Sequence, residues 1–303
     1  MDETEIKEIK TKVAIIGGGP AGCAAAVQLK RSGMDPIVFE QCNIGGLAIN
    51  ANQIENYLGF PQGIDGLEFV QLLENHIDAF AVEVFFEKIN KIEYENNEFI
   101  LFSDKKKCIC EYLILATGTT PIIPEIDGMD TLIQNNLLAY DVSNIPEEKA
   151  SNSNIAILGG GDAAFDYALN LEKKQNNIAI IHRSNVFKCL PLLYDRVMQL
   201  DAIQIMDPAI VTELQEEEGE VKVILKDLSA IEAEFVLIAY GRKPEDELVS
   251  MIPKETINSQ AFLIGDLING KYRQISVATS DGIIIAMKIL DLIYDNEQKK
   301  EEN

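Results

Sequence analysis

The sequence predicts an α/β fold in which one βαβ architecture is used twice. Three observations carry this: two glycine-rich loops, each between an apolar strand and a helical stretch; the same order of elements after each loop; and a closing apolar strand that ends in glycine in both copies. In the first copy residues 11–16 are rich in β-branched side chains and end in Gly17-Gly18-Gly19-Pro20-Ala21-Gly22, after which 23–29 reads as a helix and 36–40 as a second strand. In the second, residues 154–158 end in Gly159-Gly160-Gly161-Asp162-Ala163-Ala164, followed by a helix over 165–171 and a strand over 177–182. Residues 82–102 alternate like paired strands turning near Asn96-Asn97, and 210–225 do the same around Glu217-Glu218-Gly219. The copies close on residues 113–118 and 236–241, the latter continuing as Arg242-Lys243-Pro244. Residues 145–153, rich in Glu, Lys, Asn and Ser, read as a linker between the copies.

Composition narrows the function. A length of 303 residues suggests two domains, and 47% hydrophobic with 25% charged residues is an ordinary globular balance. Twenty-six Lys and Arg stand against 49 Asp and Glu, a formal charge of −23. That charge argues against nucleic acid and against an anionic membrane surface, both of which are bound through cations. No apolar run reaches the roughly 20 residues of a membrane span. Residues 1–10 are acidic and lack the basic-then-apolar pattern of a signal peptide, so a cytoplasmic protein is expected. The five cysteines, Cys23, Cys42, Cys108, Cys110 and Cys189, show no CxxC spacing, and there are two histidines. Neither a disulfide framework nor a structural zinc site is expected. Cys108 and Cys110 would share one face of a strand, which points to core packing.

The glycine loops have a chemical reading. The first glycine makes the turn, the second lets a pyrophosphate reach the backbone, and the third lets helix and strand pack closely. The pyrophosphate then rests on a helix N-terminus, where unpaired N–H groups and the dipole favour negative charge. This makes both copies Rossmann-like dinucleotide-binding units, with Gly17, Gly19 and Gly22 in the first and Gly159, Gly161 and Ala164 in the second. Glu40, about 20 residues beyond the first loop, suits the two hydroxyls of an adenosine ribose. The equivalent place in the second copy carries His182-Arg183-Ser184, with Lys188 close behind. Cations there suit the 2′-phosphate of NADP, while His182 is open to a structural or a ligand role.

Taken together these residues resemble the low-molecular-weight thioredoxin reductases and the ferredoxin–NADP reductases built on the same plan. The resemblance covers nearly the whole chain. It rests on Gly17 to Gly22, Ile54-Glu55-Asn56-Tyr57-Leu58-Gly59-Phe60-Pro61, Ala116-Thr117-Gly118, Gly159 to Ala164 with His182-Arg183, and Ile264-Gly265-Asp266, continued by Arg273-Gln274-Ile275 through Asp281-Gly282. It implies two three-layer ββα domains: a discontinuous FAD domain of residues 1–118 and 247–303, with an NADPH domain, 119–246, inserted in it. It implies FAD held by Gly17, Gly19, Pro20, Ala21, Gly22, Glu40, Gly46, Leu47, Asn56, Ala116, Thr117, Gly118, Gly265, Asp266, Arg273, Gln274 and Ile275. NADPH, with NADH as the lesser alternative, would be held by Gly159, Gly161, Asp162, Ala163, Ala164, His182, Arg183 and Lys188. Asp266 would meet the ribityl chain, and the helix after Arg273-Gln274 would aim its N-terminus at the flavin's pyrimidine end, stabilising the charge of the reduced ring. A homodimer is implied as well.

Three departures from the family stand out. Thioredoxin reductases carry CxxC shortly before the second glycine loop; here that region reads Leu137-Leu138-Ala139-Tyr140-Asp141-Val142-Ser143-Asn144, with no cysteine between Cys110 and Cys189. Gly45-Gly46 is followed by Leu47 where the family usually has Gln, and the paired Arg after His is reduced to Arg183-Ser184. The expected activity is therefore hydride transfer from NADPH to FAD and onward to an external acceptor: a ferredoxin or flavodoxin, a quinone, oxygen or a separate disulfide protein. The strong negative charge counts against an acidic carrier such as ferredoxin. Two alternatives stand beside it: a disulfide reductase using a relocated thiol, Cys42 or Cys23, and a flavin-binding module without turnover. No acid, base or nucleophile is demanded, and no metal.

Overall fold

The computed structural model describes residues 7–301; residues 1–6 of the acidic stretch 1–10, and 302–303, lie outside the described residues. The chain divides into two compact units, one formed by residues up to Ile49, Glu55–Thr120 and Pro244 onward, the other by Asn50–Ile54 and Pro121–Lys243.

In the first unit, β1 (Lys7–Ile16) leads through the glycine loop into α1 (Pro20–Arg31), β2 (Ile37–Glu40), α2 (Gly66–Ala79) and β3 (Glu83–Phe86). β4 (Lys91–Glu95) and β5 (Glu98–Phe102) form a hairpin that runs antiparallel onto β6 (Lys106–Leu115). Residues 82–102 are thus not one strand pair. β3 pairs parallel with β2, and only β4 and β5 turn at Asn96-Asn97, both of which have positive φ. Cys108 and Cys110 of β6 are buried in the same apolar cluster.

The connection crosses to the second unit along β7 (Thr119–Pro121) and returns along β16 (Arg242–Pro244), and these two strands pair with each other. Residues 145–153 lie inside the second unit rather than between the units and include a short 3₁₀ turn, Glu147–Lys149. The second unit runs β8 (Leu138–Ala139), β9 (Asn154–Leu158), α4 (Asp162–Glu172), β10 (Asn177–Ile181), α5 (Pro191–Val197), β11 (Ile203–Met206) and β15 (Phe235–Ile238), with α3 (Met129–Gln134) at its start. Its main sheet is parallel throughout, in the order β11-β10-β9-β15-β8. Such a sheet is covered on both faces and its strands are continuously apolar; β9 and β15 are buried almost end to end. A separate antiparallel sheet joins β12 (Val211–Glu217), β13 (Glu220–Leu225) and β14 (Ala230–Ala233). Asn50–Ile54 joins this unit because Asn50 Oδ1 accepts from Ser143 N–H (2.9 Å) and Asn52 N–H donates to Asp166 Oδ2 (2.8 Å).

The chain then re-enters the first unit, where β17 (Ala261–Leu263) pairs parallel with the last three residues of β6, and α6 (Ile275–Glu301, 27 residues) closes the layer. Small residues make that closure: a Cβ on Gly282 would lie 2.2 Å from Ala21 O of α1. The cluster behind it joins Val13, Ile15, Leu29, Ile114, Phe262 and Ile289. Among the described residues no helix is long and apolar enough to cross a membrane.

Candidate functional site

In the first glycine loop each glycine has a different reason to be glycine. Gly17 has φ +107°, its N–H donates to Phe39 O (2.8 Å), and a Cβ there would lie 2.3 Å from Ala116 O. A Cβ on Gly22 would come within 1.9 Å of Gly17 O, so the first turn of α1 sits directly on the loop. Gly19 differs from both. It caps α1 in an extended conformation, and a Cβ on it would meet nothing within 4 Å. Pro20 occupies the first helical position, and no acidic residue stands in the first turn to compete for its N–H groups. Gly45 N–H donates to Gly18 O (2.8 Å), and Gly46 packs against Gly19.

Glu40 closes this site from the end of β2. Its carboxylate is 9% exposed, with Oε2 accepting from Gly18 N–H (2.7 Å) and Oε1 from Cys42 N–H (2.8 Å). Two charge-assisted bonds hold it rigid, and its remaining lone pairs are available to hydroxyls. From the C-terminal segment, Gly265 N–H donates to Asp281 Oδ2 (3.1 Å), and Gly265, at φ +69°, packs against Ala21. Asp266 is half-buried in the following 3₁₀ turn. Arg273 and Gln274 directly precede Ile275, the first residue of α6, and Asn56 Nδ2 donates to Gln274 Oε1 (2.6 Å). Ala116 N–H donates to Ile16 O (2.8 Å), Thr117 Oγ1 donates to Glu245 O (2.7 Å), and Gly118 has φ +69°. Leu47, in the 3₁₀ turn Gly46–Asn50, is 37% exposed. An open cradle over Gly19, an uncontested helix N-terminus and a fixed carboxylate fit the pyrophosphate and ribose of FAD. Asp281 and Gly282 lacked assigned roles in the sequence reading; a glycine seven residues into a predicted helix was the available signal.

The second loop repeats the first. A Cβ on Gly159 would lie 2.4 Å from Ala239 O, whereas Gly161 caps α4 in an extended conformation with nothing within 4 Å of an added Cβ. Ala163 is exposed and Ala164 fully buried, as close helix–strand packing requires. His182 has a structural role: its Nδ1–H donates to Ser184 O (2.6 Å), and its ring packs on Gly160 and stacks on Phe187 at 5.1 Å. Arg183 is exposed beside Tyr240; burial pushes the Tyr240 phenol up, and the Arg183 charge partly opposes that. Lys188 extends an exposed side chain while its N–H donates to Gly160 O (3.0 Å). Asp162, at the first position of α4, accepts from Leu190 N–H at 2.7 Å.

The thiols sort by burial. Cys23 is 3% exposed, its Sγ donates to Gly18 O (3.1 Å), and burial pushes its thiol up to about 12. This removes Cys23 from the two candidates for a relocated thiol: desolvation outweighs the helix dipole. Burial raises Cys108 to about 12, and it also raises Cys110 and half-buried Cys189 above the ordinary thiol range. Cys42 alone among the five is exposed. Within the apolar run 137–142 stands one buried carboxylate, Asp141. Asp141 Oδ1 accepts from Tyr167 O–H (3.0 Å) and from an Arg242 guanidinium N–H (2.9 Å), and Oδ2 lies 3.1 Å from the same nitrogen. Sequence reasoning missed this cluster; its one signal was an acidic residue inside the apolar run 137–142. Among the described residues no group of three or more His, Cys, Asp and Glu is arranged to hold a metal ion.

Comparison with known proteins agrees with this geometry. The family described as "Pyridine nucleotide-disulphide oxidoreductase" matches residues 11–282. Thioredoxin reductase 2 of Arabidopsis thaliana is 27% identical, over 92% of this chain and 81% of its own. The thioredoxin reductase of Buchnera aphidicola subsp. Schizaphis graminum is also 27% identical, over 93% and 97%. Among solved structures, Lactococcus lactis thioredoxin reductase superposes with a TM-score of 0.81 at 25% identity, over 94% of this chain and 99% of that one. A bacillithiol disulfide reductase of Staphylococcus aureus shares the fold, with a TM-score of 0.73 at 20% identity. With a match that runs from the first strand into the start of the closing helix, the chain belongs to the pyridine nucleotide-disulphide oxidoreductase family, in its thioredoxin reductase-like branch, and is an FAD-dependent oxidoreductase.

Proposed function

We propose that the enzyme passes a hydride from NADPH to FAD and then delivers electrons to an external acceptor without an internal dithiol. The observation that carries this reading is Asp141. The segment that would hold CxxC holds a buried carboxylate committed to Tyr167 and Arg242, and no two cysteines of the chain have that spacing.

FAD, when bound, supplies a ring that accepts a hydride and releases electrons singly or in pairs. The chain's own residues bind and orient. The N–H groups at Gly19 and the start of α1 meet the FAD pyrophosphate, and Glu40, already held by Gly18 and Cys42, accepts from the adenosine ribose. Asp266 meets the ribityl chain, and the acid-free first turn of α6 faces the pyrimidine end of the ring with its dipole. The N–H groups at Gly161 and the start of α4 take the pyrophosphate of NADPH, while Arg183 and Lys188 face its 2′-phosphate. His182 supports that site from below through Gly160. Leu47 offers no hydrogen bond in its part of the flavin site, where Gln of the family would.

The acceptor is a small molecule or a redox protein. A relocated thiol keeps one supporting observation, the exposure of Cys42; the burial of Cys23 removes the other. In the same reading the enzyme is a homodimer in the cytoplasm, which rests on the family resemblance and is tested by light scattering and fractionation. The functional test is anaerobic reduction by NADPH followed by a panel of acceptors: artificial dyes, quinones, flavodoxin, ferredoxin and thioredoxin. Dye or quinone turnover without thioredoxin turnover is expected. Thioredoxin reduction abolished by Cys42→Ser would replace this reading with the relocated-thiol one.

A further inference from the structure

The stretch from Arg183 to Leu190 carries both cations assigned to the coenzyme, yet it has no helix or strand of its own. What holds it is a set of contacts to the second glycine loop. Lys188 N–H donates to Gly160 O (3.0 Å), making a parallel bridge with Gly161. Phe187 lies between His182 (5.1 Å) and Phe165 (5.4 Å). At the far end Leu190 N–H donates to Asp162 Oδ1 (2.7 Å). This last contact is unexpected in electrostatic terms. Asp162 occupies the first position of α4, where its carboxylate would repel a coenzyme phosphate or cap the N–H groups that phosphate needs. Turned toward Leu190, it spends an acceptor on the loop, and the α4 N-cap at Gly161 carries no side-chain cap bond.

We infer that Asp162 is a positioning residue, which latches the 183–190 loop onto the glycine loop and thereby sets the preference for a 2′-phosphorylated coenzyme. The inference rests on the assignment of the second glycine loop to NADPH. Without the latch, Arg183 and Lys188 must be ordered by the ligand, and ordering flexible side chains and loop at binding weakens affinity by about three- to tenfold. The loss should fall on the 2′-phosphate alone, because the 5′-phosphate is held by α4 itself.

Calorimetry on the FAD-loaded protein with adenosine 2′,5′-bisphosphate and with AMP reads this directly. The unmutated protein should prefer the bisphosphate by about tenfold or more. Asp162→Ala should reduce that preference by about three- to tenfold, with AMP binding held or tightened, which also reports an intact site. Asp162→Asn keeps the Oδ1 acceptor and should keep the preference. Amide exchange at Leu190 should speed up in Asp162→Ala and not in Asp162→Asn. An unchanged preference in Asp162→Ala, or an equal loss in Asp162→Asn, overturns the latch. If Arg183→Ala abolishes the preference while Asp162→Ala does not, the coenzyme assignment stands and the latch alone fails. Absence of any preference in the unmutated protein removes both.

Discussion

Gly19→Ala separates binding from folding. An added Cβ would meet nothing within 4 Å, and Gly19 has φ −71° and ψ −177°, which any residue adopts. Alanine is a poorer N-cap than glycine by about 0.5–1 kcal/mol. It also restricts the unfolded chain, which stabilises by about 0.4–1 kcal/mol. The two nearly cancel, so Tm should move by no more than about 2–4 °C. The open space, however, is where the pyrophosphate approaches, and a methyl group there displaces it from one or two backbone N–H groups. Each charge-assisted bond contributes about 1.5–3 kcal/mol, so loss of one weakens FAD by about 10- to 150-fold. The assay is flavin fluorescence titration of the apoprotein beside thermal unfolding of the same sample. Gly22→Ala is the contrast: its Cβ would lie 1.9 Å from Gly17 O, so it should destabilise the apoprotein itself. FAD affinity unchanged in Gly19→Ala would refute the assignment of the cradle.

Arg183→Ala should raise KM for NADPH by about tenfold or more and leave KM for NADH almost unchanged, since only the former has a 2′-phosphate to lose; steady-state kinetics with both coenzymes checks it. In the native protein a maleimide should label Cys42 and spare Cys23 and Cys108. Their thiolates form only as pH climbs toward about 12, so raising pH from about 7 to 9 should not expose them. Mass spectrometry of the labelled peptides reads the outcome. Asp141→Ala removes the acceptor of the buried Tyr167 hydroxyl and one ion-pair partner of Arg242, and should lower stability by about 1–3 kcal/mol in denaturant unfolding.

Both glycine loops were legible because each combines a β-branched strand, a run of glycines and an alanine-rich helix start, three local signals that agree. Cys108 and Cys110 were legible as core from alternation alone, and both are buried. What escaped depends on contacts remote in sequence. β3 looked like half of a hairpin, but its partner is β2, more than forty residues earlier. β14 is four residues long, with small alanines at both ends, and exists through pairing with β13. The Asp141–Arg242 pair joins residues a hundred apart, and an acidic residue inside an apolar run does not say which cation it meets. Of the two candidate thiols, Cys23 is excluded by the packing of α1 against the loop and α6, which buries it. Asn50–Ile54 looks like any other loop until its asparagines are seen bonded to Ser143 and Asp166.

The central claim is that electrons stop at the flavin before leaving the protein, with no dithiol in between. Anaerobic titration of the purified enzyme with NADPH measures this as electron capacity per bound FAD. A flavin alone takes up two electrons, and a flavin coupled to a dithiol takes up four. The account predicts that the visible flavin band is fully bleached at about one equivalent of NADPH, with no free thiols gained. Bleaching that lags and completes only at about two equivalents, with thiols appearing, would contradict it.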